Sequence, residues 1–310
     1  MDSEQRAIER IKVASEMSLH HYGKPLICTY SGGKDSDVML ELFKRSGVPF
    51  EVHHSHTTID APQTVYHIRD VFKKLELQGI KCEIEYPKLT MWKLIVKKKM
   101  PPTRTARYCC SYLKEGSCKD RMIATGVRWA ESNARASRGE YEVLGKTKKD
   151  RVVLSDDEMT EQKKEFEQMV IPDTAEIMLM NDNSKKRKFI ERCELKAKTI
   201  CNPIIEWTDN DIKDFITSEK ICINVLYSMG FTRCGCIGCP MAGKNRYFEF
   251  QMFPTYQRAY IRAFDKMLEA MRNDGTGRKP KWENGDDVFS WWMEEDDIPG
   301  QISFEDYQIM

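Results

Sequence analysis

The sequence predicts an α/β fold: a parallel, twisted sheet with helices on both faces, followed by a smaller, mainly helical C-terminal part. Two observations predict it. Short apolar runs at residues 26–29, 50–54, 82–86 and 122–126 alternate with helix-period patterns, the signature of strands joined by helical crossovers. The first run also passes through Tyr30-Ser31-Gly32-Gly33-Lys34-Asp35-Ser36 straight into a helical pattern of Val38, Met39, Leu42 and Phe43, which Gly47 stops.

Strand, glycine turn and helix make the geometry of a phosphate cradle. Two glycines let backbone N–H groups converge on one point, because no Cβ blocks the approach. The helix N-terminus adds about half a positive charge there. Ser31 and Ser36 can donate hydroxyl hydrogen bonds to phosphate oxygens, and Lys34 supplies a full charge. Asp35 is an anion beside an anion site, so it is expected to cap the helix or to face a metal ion. The stretch is not a Walker A loop, which needs G-x-x-x-x-G-K-[ST].

The chain of 310 residues suffices for one large domain, or for one domain with a smaller companion. Its hydrophobic content of 41% supports a core, and its charged content of 31% implies solvated helices and charged loops. A net charge of +1 gives no global case for nucleic acid, so any basic surface is local. No apolar run is long enough to span a membrane, and the charged first ten residues lack the apolar core of a signal peptide. Eleven cysteines without such a signal point to a metal or redox role rather than a disulfide framework, and to a cytoplasmic location.

Residues 4–22 read as a helix, with Ile8, Ile11, Ala14 and Met17 at spacings of three, and with His20 and His21 at an exposed end. After the phosphate loop and the second strand, a segment from His56 to Thr64 precedes a helix with Val65, Ile68, Phe72 and Leu75. The third strand alternates cleanly at 82–86, residues 91–96 suit a short helix, and the fourth strand ends at Gly126. Ligands of such a sheet lie beyond the carboxyl ends of its strands, which gathers the phosphate loop, residues 56–64 and residues 126–135 around one site. From 140 to 198 the pattern weakens. Lys146, Lys148, Lys149 and Arg151 precede Asp156, Asp157 and Glu158, and then come Lys185, Lys186, Arg187 and Lys188. This reads as a solvated insertion, or as a flap over an anionic substrate, with short strands at 152–154 and 177–179. Thr208 with Asp211 is a capping signal for a helix through Ile212, Phe215 and Ile216. Residues 246–271 are aromatic-rich and mostly helical, and 286–310 read as an acidic tail anchored by Trp291 and Trp292.

Cys109 and Cys110 are adjacent, while Cys234, Cys236 and Cys239 cluster downstream. Cys236 and Cys239 have the Cys-x-x-Cys spacing that aims two thiolates at one centre, with Pro240 behind them. Adjacent cysteines suit the corners of a [4Fe–4S] cube better than one tetrahedral zinc. Structural zinc and unligated thiols are the alternatives. Cys28 and Cys82 fall in strands, and Cys118, Cys193, Cys201 and Cys222 lack a partner spacing, so all six are expected to pack.

Together these residues resemble the phosphoadenosine phosphosulfate (PAPS) reductase family of the PP-loop ATP pyrophosphatase superfamily, over about residues 26–240. Ser31 to Ser36 is similar to the family's phosphate loop, and Pro62-Gln63-Thr64 to its Pro-Glu-Thr. Gly126-Val127-Arg128-Trp129-Ala130-Glu131-Ser132 with Arg135 resembles its Gly-x-Arg-x-x-Glu-Ser-x-x-Arg. Asn202-Pro203-Ile204 through Trp207, and Asn224 to Phe231, resemble later blocks. Cys109-Cys110 with Cys236-x-x-Cys239 resembles the set that holds a [4Fe–4S] cluster in adenylyl-sulfate reductases.

The resemblance implies a PP-loop, adenine nucleotide alpha hydrolase-like fold with Tyr30, Ser31, Gly32, Gly33, Lys34, Asp35, Ser36, Thr57, Gly126, Arg128 and Arg135 at the nucleotide. Lys34, Asp35 and Arg128 are the candidate catalytic residues, and Cys109, Cys110, Cys236 and Cys239 the cluster ligands, with Cys234 spare. Two departures bear on the reaction. No cysteine follows Cys239, where sulfate-reducing relatives carry a nucleophilic thiol, and Gln63 replaces the usual acid. The expectation is therefore closer to DNA-phosphorothioation and tRNA-thiolating enzymes: an ATP pyrophosphatase-type sulfur transferase using ATP, Mg²⁺ and a sulfur donor such as a cysteine desulfurase, with nucleic acid as a candidate acceptor and a homodimer allowed for. Reduction of adenylyl sulfate (APS) or PAPS is the alternative, and a non-catalytic nucleotide-binding regulator a third. The expected organisation is a nucleotide-binding core over 1–139, the charged insertion over 140–198, and the cysteine-bearing part over 199–310.

Overall fold

A computed structural model of the chain describes residues 2–114, 118, 120–132, 135–143, 152–157, 199–275 and 280–294. In chain order its helices are α1 (Ser3–Tyr22), α2 (Lys34–Ser46), α3 (Pro62–Glu76), α4 (Met91–Lys98), α5 (Tyr108–Leu113), α6 (Asp209–Ser218), α7 (Asn245–Met252), α8 (Pro254–Arg272) and α9 (Gly285–Met293). Its strands are β1 (Leu26–Thr29), β2 (Phe50–Ser55), β3 (Cys82–Glu85), β4 (Met122–Ala124), β5 (Tyr141–Val143), β6 (Val152–Leu154) and β7 (Thr199–Cys201). Two compact units interleave along the sequence. The first is Met1–His54, Pro62–Glu85 and Ser117–Cys234, and the second is Ser55–Ala61, Tyr86–Gly116 and Gly235–Met310. Consecutive cuts after 139 and 198 do not follow these units, because β4, β5, β6 and β7 all join one sheet.

That sheet belongs to the first unit and has seven strands in the order β3-β2-β1-β4-β7-β5-β6. β1 runs parallel to β2 and β4, and β4 parallel to β7. β5 is antiparallel to both β6 and β7, so the parallel sheet ends in an antiparallel edge. Thus β5 and β6 of the charged stretch are sheet strands, the latter at the expected residues. Asp156 just after them takes a paired hydrogen bond from the buried Arg10 at 2.7–3.0 Å. The expected strand at 177–179 and the basic runs on either side lie outside the described residues.

Alternation along the strands sorts the two faces. Leu26, Cys28, Val52, Met122, Ala124 and Cys201 pack into one core with Ala7, Ile11, Ala14, Val38, Met39, Phe43, Ile68, Phe72, Ile212 and Phe215. Helices α1, α2, α3 and α6 therefore share that face. Ile27, Ile123 and Ile200 point the other way and form a small separate cluster. The inward stripe of α1 runs on from Ala14 and Met17 to His21, which is buried, whereas His20 is exposed. The exposed end expected for both histidines thus holds for one, because i and i+4 share a helix face. The Thr208 cap forms as expected: Asp211 N–H donates to Thr208 Oγ1 at 3.2 Å, and Thr208 N–H to Asp211 Oδ2 at 2.7 Å.

In the second unit, α7 and α8 pack rings against α9, with Tyr260 and Trp292 centroids 4.7 Å apart and Phe250 and Phe289 centroids 5.1 Å apart. The helical stretch expected at 246–271 breaks at Phe253, whose backbone is non-helical (φ −127°, ψ 65°). Pro254 forces the break, since it disfavours helical geometry in the residue before it. The expected acidic tail begins with α9, whose Trp292 is fully buried and donates Nε1–H to Pro102 O at 2.7 Å. Residues 295–310 lie outside the described part. Among the described residues no helix is long and apolar enough to cross a membrane.

Candidate functional site

The phosphate loop sits between the carboxyl end of β1 and the N-terminus of α2, with Gly33 as N-cap. Gly32 has φ +73°, and a Cβ there would lie 3.0 Å from Ile68 Cγ1 and 3.1 Å from Thr64 Cγ2, so only glycine makes the turn. Asn224 Nδ2 donates to Gly32 O and to Thr64 Oγ1, both at 3.1 Å, fixing the loop from outside. Ser36 Oγ accepts from Gly33 N–H at 3.1 Å and donates to Gly33 O at 2.7 Å, while Ser31 Oγ donates to Ser36 Oγ at 3.2 Å. Lys34 N–H donates to the Tyr227 hydroxyl at 2.9 Å, so a neutral oxygen takes one amide at the positive end of α2. Tyr30 points its side chain inward, is 2% exposed, and donates its hydroxyl to Asp37. Its side chain thus turns away from the place expected for it at the nucleotide, and its backbone N–H donates to His53 O at 2.8 Å while its carbonyl lies 2.9 Å from His54 Nδ1.

The charged residues are arranged differently from expectation. Asp35 makes no side-chain cap; its Oδ1 accepts from Arg128 Nε at 2.7 Å. Arg128 is 2% exposed and is held on two further sides, by Trp207 O at 3.1 Å and by Asp209 Oδ1 at 2.8 Å. It therefore ties β4, α2 and the start of α6 together, whereas the sequence reading made it a grip on an anion. Gly126 permits that approach, since a Cβ there would lie 3.3 Å from Asp35 O. Lys34 Nζ lies 3.5 Å from Asp209 Oδ1 and stays partly exposed. Arg135 pairs with Glu131. Burial lowers its pKa, and so do the neighbouring Arg138, Arg128 and Arg233, against the opposing pull of Asp35. Arg138 is paired in turn, with its Nη1 3.2 Å from Glu142 Oε2.

Cys234 lies against the same loop: its Cβ would be 3.6 Å from a Cβ on Gly33. Burial pushes its thiol up to about 11, although a hydrogen bond with Tyr227 works the other way. Cys118 does more than pack, for its Sγ lies 3.7 Å from His53 Nδ1, and Cys222 is exposed rather than packed. Cys28 and Cys201 are buried as expected, Cys82 is half-buried, and Cys193 lies outside the described residues.

The second unit holds the other thiols. Cys109 and Cys110 lie in the first turn of α5, and Cys236 pairs with Asp60 through an isolated antiparallel bridge. Gly238 (φ +73°) turns the chain between Cys236 and Cys239. Cys109 hydrogen-bonds to Cys110, and this bond, burial and the charges of Cys110, Cys239 and Cys236 push the Cys109 thiol up. The same bond, with Arg107 and Lys114, holds Cys110 down to about 6. Lys114 feels Cys236, Cys239 and Cys110 together, so these thiols share one positively charged surrounding. Among the described residues no three of them lie mutually within 4.8 Å. One tetrahedral zinc would draw its sulfurs to roughly 3.8 Å apart. Thr57, expected at the nucleotide, belongs to this unit and accepts from Cys236 Sγ at 3.5 Å.

The model of the phosphoadenosine phosphosulfate reductase domain matches residues 25–242, well over half of the chain. The chain belongs to the PAPS reductase family. The family match covers both the phosphate loop and the Cys236–Cys239 pair. Two uncharacterized proteins of Methanocaldococcus jannaschii are similar to this family member. One is 23% identical over 70% of the chain and 36% of its own length, the other 22% identical over 80% and 47%. The chain thus spans between a third and a half of these relatives. Similar solved structures include a PAPS reductase from Candida auris (14% identity, TM-score 0.42, 76% of this chain and 88% of that one). A U34-tRNA thiolase from Methanococcus maripaludis with its [4Fe–4S] cluster follows (14%, 0.39, 87% and 81%), as does an FMN adenylyltransferase from Candida glabrata (14%, 0.40, 99% and 79%). Likeness of this degree carries no functional weight.

Sequence reasoning gave Asn224, Tyr227 and Asp209 no role at the loop. Asn224 and Tyr227 stand in a block similar to the family's, which was the available signal; Asp209 offered only helix-start chemistry.

Proposed function

We propose that this PAPS reductase family member is an adenine-nucleotide-dependent sulfur transferase. The observation that carries the reading is the glycine-built cradle at the N-terminus of α2, where Gly32 holds a turn that no Cβ could enter and the helix end favours a phosphate anion. Ser31, Gly32, Gly33, Lys34 and Ser36 hold phosphates of ATP, and Asp35, positioned by Arg128, is the carboxylate beside them for Mg²⁺. An acceptor oxygen attacks the α-phosphorus and pyrophosphate leaves. Hydrosulfide, freed from a persulfide-bearing donor such as a cysteine desulfurase by an external dithiol that is oxidised to its disulfide, then attacks the activated atom; the bond from that atom to oxygen breaks, and AMP departs with the acceptor's oxygen. Nucleic acid is the acceptor class this reading favours. Cys109, Cys110, Cys236 and Cys239 would hold a [4Fe–4S] cluster, a centre that can bind sulfide.

Anaerobic protein given ATP, Mg²⁺, sulfide donor and acceptor is expected to release pyrophosphate and AMP. Inorganic phosphate alone would rule the reading out. A second reading, sulfonucleotide reduction, draws on Cys234, the thiol beside Gly33. Sulfite release from adenylyl sulfate with thioredoxin, abolished by Cys234→Ser, would decide for it.

The cluster has its own test. Anaerobic protein should be brown, with about four iron and four sulfide per chain. Cys236→Ser or Cys239→Ser should strip the iron, and Cys234→Ser should keep it. A colourless protein with about one zinc per chain would overturn the assignment.

A further inference from the structure

We propose that His53, Glu85 and Cys118 form a binding site for a zinc-class divalent cation at the β2–β3 edge of the sheet. The site is separate from the nucleotide loop, and it stands whether or not the sulfur-transfer reading holds.

The ligand atoms of these three residues all lie within 4.8 Å of one another. Strand alternation brings them together. Val52 and Ile84 pack toward the helices, so His53 and Glu85 point to the opposite face, where Cys118 packs on Ile27, Ile123 and Ile200. His53 Nδ1 lies 3.7 Å from Cys118 Sγ. Nitrogen and sulfur bound to one tetrahedral zinc stand roughly 3.5 Å apart, so these two donors already have the spacing the ion needs.

The surroundings of His53 set its tautomer. Its Nε2 lies 3.1 Å from Glu51 Oε2 and 3.7 Å from Glu83 Oε2. Nε2 therefore carries the proton and donates to a carboxylate, which leaves the Nδ1 lone pair directed toward Cys118. A carboxylate behind a histidine is the arrangement that orients metal-binding imidazoles. Glu51 is itself fixed, taking hydrogen bonds from Arg121 Nη2 at 3.0 Å and Lys81 Nζ at 3.4 Å. Nothing in this outer layer must move to receive an ion.

The donor set selects the ion. Nitrogen, sulfur and one carboxylate suit zinc or its cobalt substitute, while magnesium and calcium require oxygen. On binding, Cys118 releases its thiol proton to solvent. Thiolate and carboxylate then balance the two charges of the cation, and the fourth position is left for water. The ion would pin the segment before β4 to the sheet edge. Cys118 there adopts φ +55°, a conformation a non-glycine residue holds only when its surroundings over-determine it.

Cobalt titration of the reduced, anaerobic full-length chain tests this. Wild type should bind one more Co²⁺ per chain than Cys118→Ser, with a thiolate-to-cobalt charge-transfer band that zinc displaces. Cys236→Ser should keep that ion and band. Glu85→Gln, at a half-buried position, should keep the band and weaken binding at least tenfold. Glu51→Gln, which touches no ion, should weaken it by about 10- to 100-fold. Equal cobalt uptake by wild type and Cys118→Ser, or a band unaffected in both Cys118→Ser and Glu85→Gln, would show a hydrogen-bonded cluster without a metal.

Discussion

Arg128→Ala is expected to destabilise the first unit by about 3 kcal/mol and to abolish nucleotide binding. The guanidinium is buried and bridges three elements: Asp35 on α2, Trp207 O before α6 and Asp209 at the start of α6. Breaking a buried ion pair by removing one partner costs about 3–5 kcal/mol, because the other charge loses its compensation. The lower end applies here, since Asp35 is 22% and Asp209 70% exposed and water can solvate both. Binding suffers through position. Asp35 is the second residue of α2, so freeing it shifts the first turn, on which the cradle's amides depend. Arg128→Lys should rescue little, because an ammonium cannot serve three acceptors in one plane. Urea unfolding and calorimetry with ATP give the two readouts. A variant with wild-type stability and affinity would remove Arg128 from this role.

Gly238→Ala is expected to destabilise the second unit by about 2–5 kcal/mol and to cost the protein its iron. A Cβ at 238 would lie 2.6 Å from Phe250 Cζ, 2.9 Å from Tyr260 Cε2 and 3.2 Å from Trp292 Cη2. These rings are packed against one another and cannot give way singly. Overpacking a core costs about 1–3 kcal/mol. The left-handed backbone at φ +73° adds about 1–2 kcal/mol for any residue with a Cβ. Relief would come by moving the turn between Cys236 and Cys239, whose Gly238 N–H is held by Glu249 Oε2 at 2.7 Å. Iron content and thermal unfolding of the anaerobic protein measure the two effects. Full iron with an unchanged Tm would contradict the packing argument.

Much of the fold is legible because its signals are local. The run from β1 through two glycines into α2 declares a cradle within a dozen residues. The Thr208–Asp211 cap needs four residues, and Pro254 breaks a helix wherever it stands in one. Alternation in β1, β2 and β4 gives strands, and their spacing by helices gives a parallel sheet. The same periodicity carried one step further, from Met17 to His21, places that histidine inside.

By itself the sequence determined the cradle, the parallel core of the sheet and the membership that its motifs share with the PAPS reductase family. Tertiary structure alone decided what the charges do. Arg128 has the chemistry of an anion grip, but Asp35 and Asp209 stand 93 and 81 residues away in sequence and reach it first. Cys118 carries no partner spacing, yet it meets His53 across 65 residues because two strands and a connecting segment converge on one face. The antiparallel edge of β5 and β6 was equally open, since a short apolar run does not state its direction. The physical reason is common to all of these. Backbone propensity and side-chain period are properties of neighbours in sequence, whereas the partner of a long charged or nucleophilic side chain is chosen by whichever distant group packing brings within about 3 Å of it.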